Sequence, residues 1–101
     1  MVLIDLYVEQ GSTFSQEITL GSDNTGNTIS GTITDSANNS TSGIATSFTD
    51  ETDGTFSIEL TEFQTAHMSS GIGRYDIEVR DGDTVTKPIG GAVYVKGEVT
   101  I

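Results

Sequence analysis

The chain lacks cysteine and tryptophan, and its 101 residues include only one proline, one histidine and four basic residues. Without cysteine, no disulfide can support the fold and no thiol chemistry is possible. Four basic residues against fifteen acidic ones give a net charge of −11. This balance argues against a phosphate-binding stripe and against attraction to an anionic membrane, so we expect neither nucleic acid nor membrane as a partner.

Long apolar runs are also absent. The N-terminal segment meets Asp5 before it reaches the ~7–15 apolar residues of a signal peptide, and no stretch is long enough to span a membrane. The length fits one domain, so residues 1–101 are predicted to form a single unit with a modest core.

Apolar and polar residues alternate with a period of two in several short stretches that turn residues separate. Because successive side chains of a strand point to opposite faces, this pattern predicts half-buried antiparallel strands. The predicted strands are Val2–Val8, Thr13–Leu20, Thr28–Thr34, Ile44–Thr49, Thr55–Leu60, Arg74–Arg80 and a last one that begins at Thr84, is interrupted at Pro88-Ile89-Gly90-Gly91 and resumes to Ile101. Seven or eight strands of this size predict an all-β, immunoglobulin-like antiparallel β-sandwich, with a small barrel as the alternative.

Local signals refine this topology. Thr61 followed three residues later by Gln64 fits a capping box and predicts one or two helical turns over Thr61–Met68, followed by a turn at Ser69–Gly73. Asp81-Gly82 predicts a tight hairpin, and Asp35–Gly43 is predicted to be the least structured stretch. Pro88 cannot donate to a ladder, so it predicts an edge, or a bend where the last strand changes partner.

Four inward residues on neighbouring strands are predicted to form the centre of the core. They are Phe56, Ile58, Tyr75 and Ile77. Tyr75 opens a late strand just after Gly73, where immunoglobulin-like domains often have a tyrosine that bonds nearby backbone, so a corner bond and simple core packing are both open.

The residues do not predict an enzyme. His67 is the one histidine, no Gly-x-Ser-x-Gly elbow surrounds a serine, and one histidine cannot make a histidine-rich zinc site. The outward carboxylates that a two-carboxylate glycosidase would need are Glu17, Glu59, Asp76 and Glu78. They lie on open sheet faces without a dry cleft, so we predict no catalytic, cofactor-binding or metal residues.

Two binding alternatives stay open. Hard oxygen ligands for Ca²⁺ occur in acidic turns, although none has the spacing of an EF-hand loop. These candidate ligands are Asp50, Glu51 and Asp53 in one turn, Asp81 and Asp83 in another, and Asp23 in a third. A carbohydrate-binding module would need aromatic side chains on a wet face, and Tyr7 and Tyr94 have that parity on the terminal strands.

Charges of alternating sign follow the outward side of the Arg74–Arg80 strand. The row reads Arg74, Asp76, Glu78, Arg80. Such a row predicts cross-strand ion pairs of roughly 0.2–1 kcal/mol each, or a surface that faces a partner subunit.

Two segments resemble a known family. The first runs from Tyr7 to Leu20 and contains Glu9-Gln10-Gly11-Ser12-Thr13-Phe14; the second runs from Gly54 to Val95. The second contains Leu60-Thr61 with Gln64-Thr65-Ala66, then Gly73-Arg74-Tyr75-Asp76-Ile77-Glu78-Val79 and Gly91-Ala92-Val93-Tyr94-Val95. Together they resemble small immunoglobulin-like structural proteins of tailed phages and prophages, and the Gly21–Asp53 stretch departs from that pattern.

This resemblance implies a non-enzymatic virion accessory domain of the tail, baseplate or neck, or a capsid decoration. Its partners would be other virion proteins, as a homo-oligomer or on a symmetric ring such as a trimer or hexamer. We predict docking by strand addition on the Val2–Val8 edge or the Val93–Ile101 edge. The possible host glycan and calcium-dependent adhesion remain the alternatives.

Overall fold

The computed structural model describes residues 2–41 and 44–97, which form nine strands and one short helix. The elements are β1 (Val2–Leu3), β2 (Leu6–Glu9), β3 (Phe14–Thr19), β4 (Thr28–Thr34), β5 (Ser40–Thr41), β6 (Ala45–Asp50), β7 (Thr55–Leu60), α1 (Glu62–Ala66), β8 (Gly71–Asp81) and β9 (Thr84–Lys96).

The strands form two sheets. One has the order β1-β9-β8-β4-β5 with β2 also on β9, and the other has the order β3-β7-β6. Strands β4, β8 and β9 correspond to C, F and G of an immunoglobulin-like sandwich, and β3, β6 and β7 correspond to B, D and E. The predicted fold is therefore confirmed, and two separate sheets replace the alternative of a closed barrel.

The core lies between the two inner faces. Phe56 and Ile58 are 0% exposed, Ile77 is 1% exposed and Tyr75 is 5% exposed, which confirms all four predicted core positions. Buried residues of β2 and β9, on the inner face of the larger sheet, complete the core cluster.

The first predicted strand, Val2–Val8, is neither continuous nor antiparallel to its neighbour. It breaks at Ile4-Asp5, and both β1 and β2 run parallel to β9 rather than antiparallel to a neighbour. Leu6 is buried as predicted, but Val2 is 62% exposed. The break coincides with a close backbone approach, because a Cβ at Gly91 would lie 2.6 Å from the Ile4 carbonyl oxygen.

The Tyr75 side chain holds the backbone at this break from the core side. Its hydroxyl donates to the Ile4 carbonyl oxygen at 2.5 Å, so the bond reaches the first strand instead of the nearby backbone of a corner. Burial, and then the negative charge of Asp5, raise the pKa of Tyr75 to about 12. The hydroxyl therefore remains a donor at every physiological pH.

The segment predicted as least structured is organised around a buried carboxylate. Asp35 is 2% exposed. Its Oδ1 accepts from the N–H groups of Ala37 and Asn39, each at 3.0 Å, and its Oδ2 accepts from Ser69 N–H at 2.9 Å. Burial raises the pKa of Asp35, but these three N–H donors lower it by more, so the net shift is downward. The predicted stretch ends at Ser42 and Gly43, which lie outside the described residues.

The capping box is confirmed. Thr61 Oγ1 accepts from Gln64 N–H at 3.2 Å, and Gln64 Oε1 accepts from Thr61 N–H at 2.9 Å. The helix covers Glu62–Ala66, shorter than predicted. The expected turn at Ser69–Gly73 is wrong in part, because β8 already begins at Gly71.

The last two strands form one long hairpin. The predicted hairpin is confirmed, but its two-residue loop is Gly82-Asp83 rather than Asp81-Gly82, because Asp81 pairs with Thr84. Gly82 adopts φ +59°. A positive φ at the first loop residue is the geometry of a type II′ turn, which glycine adopts at no steric cost. The predicted interruption at Pro88-Ile89-Gly90-Gly91 is wrong, because β9 continues through these residues. The register with β8 shifts around Pro88, and β1 becomes a second neighbour of β9 at Ile89. The predicted extension to Ile101 passes beyond Gly97 and lies outside the described residues.

Candidate binding face

An aromatic and aliphatic patch lies on the outer face of the six-stranded sheet. Tyr7, Tyr94 and Ile72 occupy one row across β2, β9 and β8, because Tyr7 is opposite Tyr94 and Tyr94 is opposite Ile72. The two phenol rings stack with centroids 5.2 Å apart and an interplanar angle of 12°. Tyr7 is 72% exposed, Ile72 63% and Tyr94 37%. We call these three residues the tyrosine patch.

Strand alternation fixes the orientation of the patch. Tyr7 lies between buried Leu6 and Val8, and Tyr94 lies between buried Val93 and Val95. Since these inward neighbours fill the core, the tyrosines cannot turn inward without a slip of the whole register. A shallow depression of about 340 Å³ lies over the patch, with Glu9 and Lys96 at its rim. The face thus presents rigid apolar rings beside charged groups.

All four basic residues of the chain lie on this same face of the molecule, on β8 and β9. Lys96 Nζ is 3.9 Å from Glu9 Oε1, and Lys87 Nζ is 3.3 Å from Asp76 Oδ2 across the two long strands. The predicted ion-pair row is only partly cross-strand, since Arg80 bonds Glu78 on its own strand. Arg74 donates to the Asn38 side chain instead of a carboxylate.

The outer face of the three-stranded sheet has a different composition. Its outward residues are Ser15, Glu17 and Thr19 on β3, Ser57 and Glu59 on β7, and Ala45, Ser47 and Thr49 on β6. Because all the cations are on β8 and β9, this face is acidic and hydroxyl-rich. Two of the four carboxylates considered for a glycosidase lie here, and the other two, Asp76 and Glu78, lie on the opposite outer face. The sandwich therefore separates them, and they do not share a cleft.

The acidic turns use their carboxylates to hold the backbone. Asp23 Oδ1 accepts from the N–H and the hydroxyl of Thr25, at 2.9 and 2.6 Å. Asp50 makes the same pair of bonds to Thr52, and Asp53 makes them to Thr55. The hydroxyl donors first and the N–H donors second lower the pKa of Asp23 and of Asp50.

The sequence signal for these turns is Asp-x-Thr, which occurs three times and was not among the predicted motifs. Glu51 joins two of the loops, since its Oε2 accepts from Gly26 N–H at 3.2 Å. Asp81 and Asp83 flank the separate Gly82 hairpin. In residues 2–41 and 44–97, no three His, Cys, Asp or Glu side chains are grouped to hold a metal ion.

His67 lies at the C-terminal end of α1. The residue is exposed, its Nδ1 is 2.8 Å from the Phe63 carbonyl oxygen, and its ring centroid is 4.3 Å from that of Phe63. The contacts of this imidazole therefore fall within its own helix.

Sequence reasoning identified Tyr7 and Tyr94 but not Ile72. The predicted turn at Ser69–Gly73 concealed it, although Ile72, Arg74 and Asp76 continue one outward parity. The predicted edge at Val93–Ile101 is wrong for Val93–Lys96, because β9 has β8 on one side and β2 on the other. The Val2–Val8 segment, by contrast, lies at one edge of the larger sheet, and β5 lies at the other.

No protein-family model matches the chain, and no curated protein matches it. In the described part of the chain, no helix has the length and apolar character to cross a membrane.

Proposed function

We propose that this chain is a non-enzymatic accessory domain of a phage virion, in the tail, baseplate or neck or on the capsid, which acts through protein–protein contacts. The observation that carries the proposal is the tyrosine patch: three large exposed side chains with apolar surface in one row, beside Glu9 and Lys96. Aromatic anchors with a polar rim are characteristic of protein interfaces.

The surroundings of the patch favour a protein over a sugar. The two phenol rings stack on each other, and the third member of the row is Ile72, so the patch continues as an apolar surface. A glycan site needs many polar groups to bond sugar hydroxyls, and here the charged groups beside the rings are Glu9 and Lys96. Rigid tyrosines contribute contact area at a low entropic cost, which suits a protein partner.

The virion location is supported by the resemblance of Tyr7–Leu20 and Gly54–Val95 to tailed-phage immunoglobulin-like proteins. Tyr7 and Tyr94 both fall inside those segments. Edge β2 also supports docking, because β9 is its one paired neighbour among the described residues, so its other side offers backbone groups for an added strand.

The test is incorporation into particles. Phage particles would be purified from the strain that carries the gene, after its own copy is replaced by a tagged wild type, by Tyr7→Thr/Tyr94→Thr, or by Phe63→Thr. Threonine keeps strand propensity at the two tyrosines. Phe63 is 70% exposed on α1 and serves as the matched control, an exposed aromatic outside the patch.

We expect wild type and the Phe63 variant in purified particles, and at least a tenfold loss of the double variant with its melting temperature preserved. Absence of the wild-type chain from the particles would refute the virion role. Normal incorporation of the double variant would refute the role of the patch.

A carbohydrate-binding module is the second candidate, because the structure brings Tyr7 and Tyr94 into one exposed patch. A glycan array with the wild type and the double variant distinguishes the two functions. Binding to a defined glycan that the double variant loses would favour this candidate, and an array without tyrosine-dependent binding favours the protein contact.

A further inference from the structure

We propose that the partner seated on the tyrosine patch is a second copy of this chain, related to the first by a two-fold axis. This inference rests on the proposed function and names the partner of the same site. It comes from the distribution of charge over the molecule.

Copies of a chain with a net charge of −11 repel each other over most of their surface. The outer face of the six-stranded sheet is the exception. Three of its four cations pair with Glu9, Asp76 and Glu78, and Asp5 at the strand break is its fourth carboxylate. Counted over residues 2–41 and 44–97, the face is therefore neutral, and the ten other carboxylates of these residues lie elsewhere.

The same face carries the apolar contact that association needs. Tyr7, Tyr94 and Ile72 form its most exposed apolar row, and Ala92 lies next to Tyr94 in outward parity on β9. These apolar side chains lie on strands rather than on the acidic turns.

The rim charges fit a two-fold arrangement. In a two-fold interface, every contact between two different residues occurs twice. If one residue of the first copy contacts another residue of the second copy, the same two residues also meet with the copies exchanged. Glu9 and Lys96 are 3.9 Å apart, with side chains 64% and 71% exposed, so they form a loose pair that gives little stability within one chain. Across a two-fold axis that runs along the strands between Tyr7 and Tyr94, Lys96 of one copy meets Glu9 of the other, and the reverse pair forms at the same time.

Charge reversal tests this geometry. The variants Lys96→Glu and Glu9→Lys are prepared separately, and self-association of each, of their equimolar mixture and of wild type is measured by sedimentation velocity up to about 500 µM. In the mixture, both rim pairs are restored across the interface, whereas each variant alone places like charges together. Like charges at close approach are destabilising, so the mixture should associate at least tenfold more tightly than either variant alone.

Two results would overturn the inference. One is a wild type that remains monomeric at the highest concentration, and the other is a mixture that associates no better than its components. Circular dichroism of each variant checks folding, and Asp83→Lys, a charge reversal at the hairpin tip, is the control that should leave wild-type association unreduced. These outcomes are independent of particle incorporation: monomeric wild type with patch-dependent incorporation retains the proposed function with a different protein as partner. Self-association of the wild type together with its absence from particles would support the inference about the partner and refute the virion role.

Discussion

The two sheets bury their inner faces in the same core, but their outer faces differ. The six-stranded sheet presents Tyr7, Tyr94 and Ile72 with all four cations, while the three-stranded sheet presents short hydroxyl side chains with Glu17 and Glu59. Alternation with a period of two produced both outer faces. The pattern therefore indicates which faces are exposed to water, and the kind of residue at the exposed positions distinguishes the proposed binding face from the other outer face.

This difference assigns separate roles to the sheets. The three-stranded sheet contributes to the domain through its inner residues, and its outer face is a solvated surface. The six-stranded sheet contributes through both sides: Ile77 and Val93 pack inward, and the tyrosine patch faces outward. The following predictions compare inner with outer positions and one sheet with the other.

The largest effect is expected inside the three-stranded sheet. Phe56→Ala should lower the free energy of unfolding by about 3–5 kcal/mol, because it removes a fully buried ring and leaves a cavity. Ser57→Ala, one residue along on the outer face, should change it by less than ~0.5 kcal/mol. Urea unfolding of both variants checks the contrast. Equal losses at the two positions would mean that the inner and outer assignment of β7 is wrong.

The next effect is expected at one end of the six-stranded sheet. Asp35→Asn should cost about 1–3 kcal/mol at pH 7, since an amide replaces a buried carboxylate oxygen that accepts from backbone N–H groups. The folded pKa of Asp35 is lowered relative to an unfolded value of about 3.9. Its contribution is therefore present above about pH 4 and is lost as the pH falls through the lowered folded pKa.

Denaturant unfolding between pH 7 and pH 2 measures this dependence. The gap between wild type and Asp35→Asn should close as the pH falls below 4, and Asp50→Asn in an exposed turn should show a smaller gap. A gap for Asp35→Asn that stays constant down to pH 2 would show that the carboxylate charge is not the stabilising feature.

A smaller effect is expected at the bond that holds the first strand. Tyr75→Phe should cost about 1–1.5 kcal/mol, because the Ile4 carbonyl oxygen loses the phenol donor. The loss should be concentrated next to the tyrosine patch, so amide hydrogen exchange should speed up in β2 and much less in β3. Equal acceleration in the two strands would indicate a general loosening rather than a local attachment of the binding face.

The smallest effect is expected at Thr46, in the inner layer of the three-stranded sheet. Its Oγ1 is buried and has no hydrogen-bond partner among the described residues. Thr46→Val should be neutral or stabilising by up to about 1 kcal/mol, because it removes an unsatisfied hydroxyl without a change of shape. A calorimetric melt measures the shift. A loss above ~1 kcal/mol would show that the hydroxyl is satisfied, for example by a bound water.

The sequence was sufficient for the elements whose signals are local. Strands β4 and β7 have the predicted bounds, and the capping box of Thr61 and the Gly82 hairpin depend on residues within three positions of each other. The core positions followed from parity alone. Tyr7 and Tyr94 were identified as an outward pair for the same reason.

Features that depend on distant partners could not be predicted. One of the three N–H groups that bond the Asp35 carboxylate belongs to Ser69, which is 34 residues away. The parallel pairing of β2 with β9 has no signal in either strand, because alternation looks the same in both directions. Ile72 belongs to the patch because β8 begins at Gly71 rather than at the predicted Arg74. The concentration of cations on one face depends on the order of the strands in the sheet.

The most direct test of the central claim is hydroxyl-radical footprinting of the chain, free and dilute, against the chain in purified particles. Tyr75 is buried in both and serves as the internal control. The account predicts strong protection of Tyr7, Ile72 and Tyr94 in the particle, with Phe63 on α1 unchanged and carboxyl labelling of Glu17 and Glu59 unchanged. Protection of Glu17 and Glu59 with a fully reactive tyrosine patch would contradict it, because the three-stranded sheet would then be the face that binds.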